Sequence, residues 1–287
     1  MDEPPIAPLL IEDPPAVIAP RRVPNLAHAL LFVAFTGVLL ITLQFILSAL
    51  GKAPATLHSG TITIQHPILQ LAIMAATYLA AIAAAWLVFP LLWRRPFLDG
   101  LQWNWPTART HALRLIALGF FLGVTMQLVT YFITSPKTLP IDDFFTRPST
   151  AWLITLFGTI VAPIFEETCF RGFLLPAIAI AYDWLVLPRT PEAHLHWQSS
   201  TTLTPTALLF SSILTSVLFA LLHAQQVAHL LPALLALFTV SLVLCFVRIK
   251  TQSVAASALV HSAYNGFIFL AAIIATGGYR HLDRMPH

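Results

Sequence analysis

Eleven consecutive residues, Ala162-Pro163-Ile164-Phe165-Glu166-Glu167-Thr168-Cys169-Phe170-Arg171-Gly172, hold three charges inside sequence that is otherwise apolar. Upstream, Ala151 to Phe165 carries no charge; downstream, Phe173 to Leu187 carries only Asp183. Ionisable groups at bilayer depth are costly, so they are normally buried in protein, paired and functional. Glu167 and Arg171 are i,i+4 on a helix and can pair on one face. Glu166 stands about 100° round the helix and is left to face a cavity. A carboxylate in an apolar site can serve as a base near neutral pH. Two further apolar stretches carry polar side chains at helix spacing. One is Phe219-Ala220-Leu221-Leu222-His223; the other is His261-Ser262-Ala263-Tyr264-Asn265, where His261 and Asn265 are again i,i+4.

Composition says what kind of chain must position these groups. Of 287 residues, 57% are hydrophobic and 9% are charged. Soluble domains average about 25% charged residues, so a soluble fold is excluded and a polytopic helical membrane protein is expected. The net charge of +3 gives no reason to expect a nucleic-acid partner. Cys169 and Cys245 lie in apolar runs and form neither a disulfide framework nor a metal-type cluster. They read as small buried apolar residues.

Residues 1–25 hold seven prolines and four acids with no helical period, and read as a disordered cytoplasmic tail. Apolar runs follow at Ala27–Leu50, Pro67–Trp93, His111–Thr134, Thr150–Phe170, Phe173–Leu187, Pro205–His223, Val227–Val247 and Val254–Thr276. Such runs must be helices, because lipid offers no partner to an unpaired backbone group. The expected fold is therefore an all-α bundle of about eight spans. It divides into three N-terminal helices (26–148), a core carrying the charged motifs (149–276) and a short tail (277–287). Arg21, Arg22, Arg94, Arg95, Arg109 and Arg114 flank one side of the early spans, which puts the N-terminus in the cytoplasm. Eight crossings leave Arg248 and Lys250 on the wrong side. The fifth run is retained because two parallel spans would bring Glu166 and His223 together at one surface. The polar loop 188–204 separates the fifth and sixth runs, and Trp86, Trp93, Trp103, Trp105 and Trp184 suit an interfacial belt.

Taken together, Glu166-Glu167-x-x-x-Arg171, Phe219-x-x-x-His223 and His261-x-x-x-Asn265 resemble the three-motif signature of the CAAX prenyl protease and bacteriocin-processing intramembrane endopeptidases. The resemblance covers about Thr150 to Thr276; Pro163 before the acids and Gly172 after the arginine also fit it. It implies a peptidase in which Glu166 takes a proton from water and His223 orients that water. His261 and Asn265 would donate hydrogen bonds to the oxyanion, and the Glu167–Arg171 pair would hold the helix end. Glu166, His223 and His261 also make a His₂Glu set of the kind zinc accepts, although no His-Glu-x-x-His helix is present.

The substrate would be a peptide or lipidated protein in or on the bilayer, of CAAX type or of leader and bacteriocin type, cleaved near the cytoplasmic face. A bacterial inner membrane is the expected location. Other classes stay open: a non-catalytic relative acting as an immunity or scaffold protein, and a transporter with a buried charge relay. A transporter more often shows repeats with broken helices in two halves, and no internal repeat is visible here. Asp183 reads as a satisfied interfacial residue, and His194, His196, His229, His281 and His287 as loop or interface histidines.

Overall fold

The computed structural model describes residues 22–49, 55–58, 61–64, 67–132 and 140–284. Most of the tail expected over residues 1–25 lies outside the described residues, as do residues 285–287. In chain order the elements are α1 (Leu26–Ala49), strands β1 (Ala55–His58) and β2 (Thr61–Ile64), α2 (Pro67–Trp93), α3 (Phe97–Leu101), α4 (Trp105–Thr110) and α5 (Ala112–Tyr131). A 3₁₀ turn (Pro140–Phe145) precedes α6 (Pro148–Val186), α7 (Pro191–Ser199), α8 (Pro205–Leu222), α9 (Leu231–Thr251) and α10 (Val254–Ala275).

Seven of these helices are long and apolar enough to cross a membrane. The chain is an all-α polytopic bundle and an integral, multi-pass membrane protein. Its outer surface is what lipid requires: Leu87, Leu91, Leu113 and Leu222 are all exposed. The short hairpin, with Ala55 opposite Ile64 and His58 opposite Thr61, is a minor addition between α1 and α2.

The fourth and fifth apolar runs are not two spans. They form the single 39-residue helix α6. At 1.5 Å per residue it is about 58 Å long, nearly twice the roughly 30 Å of a hydrocarbon core. Glu166, Glu167 and Arg171 interrupt the hydropathy but not the backbone. Arg171 and Glu167 neutralise each other one turn apart, so the helix continues through them. The polar loop after α6 also holds structure, because Thr190 caps α7 by accepting from the Ala193 amide. Similar caps start α8 (Thr204 from Ala207) and α10 (Ser253 from Ala256), and prolines occupy the first turn of α6, α7 and α8.

The helix ends collect into two layers. At one end Asp183 accepts from the Thr204 amide and hydroxyl, tying the end of α6 to the start of α8. Arg22 donates to the Trp197 carbonyl, and Ser253 Oγ donates to the Asn104 carbonyl. At the other end Tyr279, fully buried, shares a hydrogen bond with Thr155 near the start of α6. Between the layers, Phe32, Phe89, Trp93, Phe97 and Phe173 build an aromatic core that clamps α1 and α2 onto α6; Phe32 stacks on Phe173 at 4.5 Å. Trp93, expected in the interfacial belt, is buried here. Helix α5 lies against α10, and a Cβ at Gly119 would come within 2.5 Å of the Val260 carbonyl.

Candidate active site

Two π-helical stretches, Phe157–Val161 and Thr168–Leu174, flank the turn of α6 that carries both glutamates. Such bulges re-register a helix and recur at functional sites. In the first, the Ala162 amide donates to the Phe157 carbonyl, five residues back. The next amide in that register would reach Gly158, but residue 163 is proline and has no N–H. The orphaned Gly158 carbonyl is taken by Asn265 Nδ2 at 2.7 Å. One amide hydrogen of Asn265 is thereby committed to α6, and the other remains for a ligand. Gly158 is also where Phe269 packs, since an added Cβ would stand 2.7 Å from its ring.

Helix α8 runs antiparallel to the second half of α6. Thr204 meets Asp183, and the Ser211 hydroxyl donates to the Leu175 carbonyl, which carries the C-terminal end of α8 back to the middle of α6. Parallel spans were expected to make this meeting, and that expectation is wrong. Glu166 lies mid-helix, so one antiparallel neighbour reaches it without an extra crossing.

Glu166, His223 and His261 come together. Glu166 Oε2 is 3.8 Å from Nε2 of His223 and 3.8 Å from Nε2 of His261. The opposite nitrogens aim both rings. His223 Nδ1 donates to the Phe219 carbonyl at 2.8 Å, and His261 Nδ1 donates to Glu167 Oε1 at 2.9 Å. A carbonyl or carboxylate can only accept, so each Nδ1 carries hydrogen and each Nε2 faces Glu166. The side chains of Glu166 and His223 are 15% and 18% exposed, open enough to meet a substrate, whereas His261 is 4% exposed.

Beneath this layer lies a fully buried ion pair. Arg171 donates from one terminal nitrogen to Glu167 Oε1 at 2.8 Å, and from the other to the Ser241 carbonyl and hydroxyl. Glu167 is thus shared between Arg171 and His261. Phe219, the first residue of the second motif, packs into the site: its carbonyl orients His223, its ring lies 4.4 Å from the His223 ring, and the Arg171 guanidinium sits 5.0 Å from its ring centroid.

Sequence reasoning missed Ser241 and Tyr78. Ser241 is a fully buried polar residue in the apolar helix α9, and that misplaced polarity was its only signal. Tyr78 of α2 stacks on Phe165 at 3.7 Å, next to Glu166, and nothing in the run of small residues around it announced this. Cys245 is buried beside Ser216, and Cys169 is half-buried; both are free thiols.

The His₂Glu set is spread wider than the ligands of a zinc tetrahedron. With bonds of about 2.0–2.1 Å, the edge of a zinc tetrahedron is roughly 3.3 Å, and both Glu–His separations are 3.8 Å. Among the described residues no group of three His, Cys, Asp or Glu side chains is arranged to hold a metal ion. The same separations suit one water hydrogen-bonded at about 2.7–2.8 Å to each partner.

The fold is that of a polytopic membrane bundle with a carboxylate and two aimed imidazoles recessed between its helices. Residues 148–267 match the family model described as type II CAAX prenyl endopeptidase Rce1-like. This part of the chain is an Rce1-like domain of the CAAX prenyl protease and bacteriocin-processing family, a family of intramembrane proteases. No curated protein and no solved structure matches the chain.

Proposed function

We propose that the chain is an intramembrane endopeptidase in which Glu166 activates water for attack on a peptide carbonyl. The observation that supports it most is the convergence of Glu166 Oε2 with two Nε2 atoms, each aimed by a hydrogen bond on its other nitrogen. The buried Glu167–Arg171 pair adds to it: its two charges offset each other, and a proton held on His261 Nε2 would balance Glu166.

Water held between Glu166 and His223 gives its proton to Glu166 as its oxygen bonds to the carbonyl carbon. The oxyanion that forms is met by His261 as imidazolium, whose Nδ1–H stays on Glu167, and by the remaining N–H of Asn265. Collapse passes the proton from Glu166 to the departing amine nitrogen as the carbon–nitrogen bond breaks. Glu167 and Arg171 act as positioning residues: they hold the His261 ring and keep its Nε2 turned to the site.

With seven crossings, Arg22, Arg94, Arg95, Arg109, Arg114, Arg248 and Lys250 fall on one side of the bundle. The conflict that eight crossings create for Arg248 and Lys250 disappears; Arg147, Arg280 and Arg284 fall on the other side, so the excess of basic residues supports a cytoplasmic N-terminus and, unlike the eight-span arrangement, a C-terminus on the opposite side. His261 is seven residues from the start of α10, roughly 10 Å below that surface, so a CAAX-type or leader-type peptide would be cut near the cytoplasmic face. The test is cleavage by protein reconstituted in liposomes, offered a farnesylated C-terminal peptide and unprenylated membrane peptides, with products read by mass spectrometry. Products from wild type but not from Glu166→Gln or His223→Ala are expected. Turnover by Glu166→Gln near the wild-type rate would overturn the base assignment.

A further inference from the structure

At the cytoplasmic-side layer of helix ends, far along α6 from the glutamates, α1, α6 and α7 enclose an open recess of about 510 Å³. Its polar lining is one-sided. Arg22 supplies a cation, Asn25 and Gln198 supply amides, Trp184 and Trp197 supply indoles, and among the described residues no carboxylate lines the recess. The Asn25 side-chain oxygen is already used, accepting from the His28 amide, so its NH₂ is what remains to offer. Indoles only donate. The recess therefore presents donors and a positive charge.

Arg22 is built into place rather than free on the surface. It donates to the carbonyls of Trp197, Ser200 and Thr202, and its guanidinium lies 3.6 Å from the centre of the Trp197 ring. Asp183 is close enough to act on its charge, but the Asp183 carboxylate is already hydrogen-bonded to Thr204. Burial pushes Arg22 down from its ordinary value, and Asp183 only partly opposes this. Among the described residues Asp183 is the carboxylate that acts on this cation, and it does not line the recess. The other walls are apolar: Leu26, Ala27, Ile180 and Ala181 lie on the facing sides of α1 and α6. A cation and amide donors at the mouth, two tryptophans at headgroup level and an aliphatic channel between helices match an amphiphile with an anionic head.

We propose that this recess is a binding site for one anionic phospholipid, with its phosphodiester against Arg22 and Asn25 and an acyl chain along Ala27 and Ala181. The lipid would pin the N-terminal end of α1 to the α6–α7 corner and set its anionic head against Arg22. This site is separate from the peptidase reading and does not rest on it.

The experiment is native mass spectrometry of delipidated protein in detergent, titrated with phosphatidylglycerol, phosphatidylcholine of the same chains, or inorganic phosphate. One tightly retained phosphatidylglycerol is expected, with phosphatidylcholine and phosphate held much more weakly. Arg22→Gln should weaken phosphatidylglycerol about tenfold or more, the worth of one charge-assisted contact, and Arg22→Lys should lose less. Ala181→Trp fills the channel while leaving Arg22 in place, so it too should remove the retained lipid; it decides the matter if Arg22→Gln fails to fold. Equal retention of the two phospholipids would overturn the proposal, as would unchanged phosphatidylglycerol binding in both Arg22→Gln and Ala181→Trp. Phosphate competing as well as the lipid would make this a small-anion site and overturn it likewise.

Discussion

Breaking and then removing the ion pair under the site should separate its structural from its functional contribution. Glu167 and Arg171 have no solvent exposure, so solvent screening does not weaken their interaction. Glu167→Leu leaves the guanidinium with only the Ser241 hydroxyl and carbonyl as partners, and its Nε already has none. A buried charge stripped of its partner costs about 3–5 kcal/mol. Glu167→Leu combined with Arg171→Met removes both charges and fills the same space with apolar atoms. It should recover at least about 2 kcal/mol of that loss, because the desolvation of the arginine is no longer incurred. Peptide cleavage should stay low in the single and the double variant alike, since His261 Nδ1 has lost the carboxylate that orients it. The assay is denaturant or thermal unfolding in detergent micelles, run beside cleavage on the same preparations. A double variant no more stable than the single one would refute the energetic reasoning. A double variant that cleaves like wild type would refute the positioning role of Glu167.

Other outcomes follow from the same geometry. Glu166→Gln should lower turnover about 10²–10⁴-fold, the range of general base catalysis, while leaving unfolding nearly unchanged; kinetics and melting curves check both. Asn265→Leu should destabilise by about 1–3 kcal/mol, because the Gly158 carbonyl loses its only substitute for the missing Pro163 amide; unfolding in detergent reads this, and a neutral result would remove the π-register argument. Gly119→Ala should cost about 1–3 kcal/mol, since its Cβ would press on the Val260 backbone of α10, which cannot give way as a side-chain tip can. Cysteines placed at Arg109 and Arg280 should label from opposite sides of intact cells, Arg109→Cys only after permeabilisation. The reverse pattern would invert the topology.

The class of fold was legible in the sequence because bilayer solvation is a one-dimensional constraint: long apolar runs must be helices whatever they touch. α2 begins and ends at Pro67 and Trp93, as the hydropathy and the Arg94-Arg95 stop suggest, and α8 and α10 differ from expectation by one residue at their ends. The polar residues that converge on Glu166 were legible for the same reason, since a histidine or a glutamate in such runs has few bland explanations. The joining of two runs into α6 was not, because hydropathy registers Glu167 and Arg171 as two charges and cannot register that they cancel within one turn. Nor could spacing reveal that α8 approaches α6 antiparallel, that the proton on His261 Nδ1 goes to Glu167, or that Asn265 spends one hydrogen on a carbonyl orphaned by Pro163. Those facts depend on which helix faces which, and at what height. Sequence determines the faces of each helix separately, whereas only packing in three dimensions sets one face against another and decides which polar atom finds a partner.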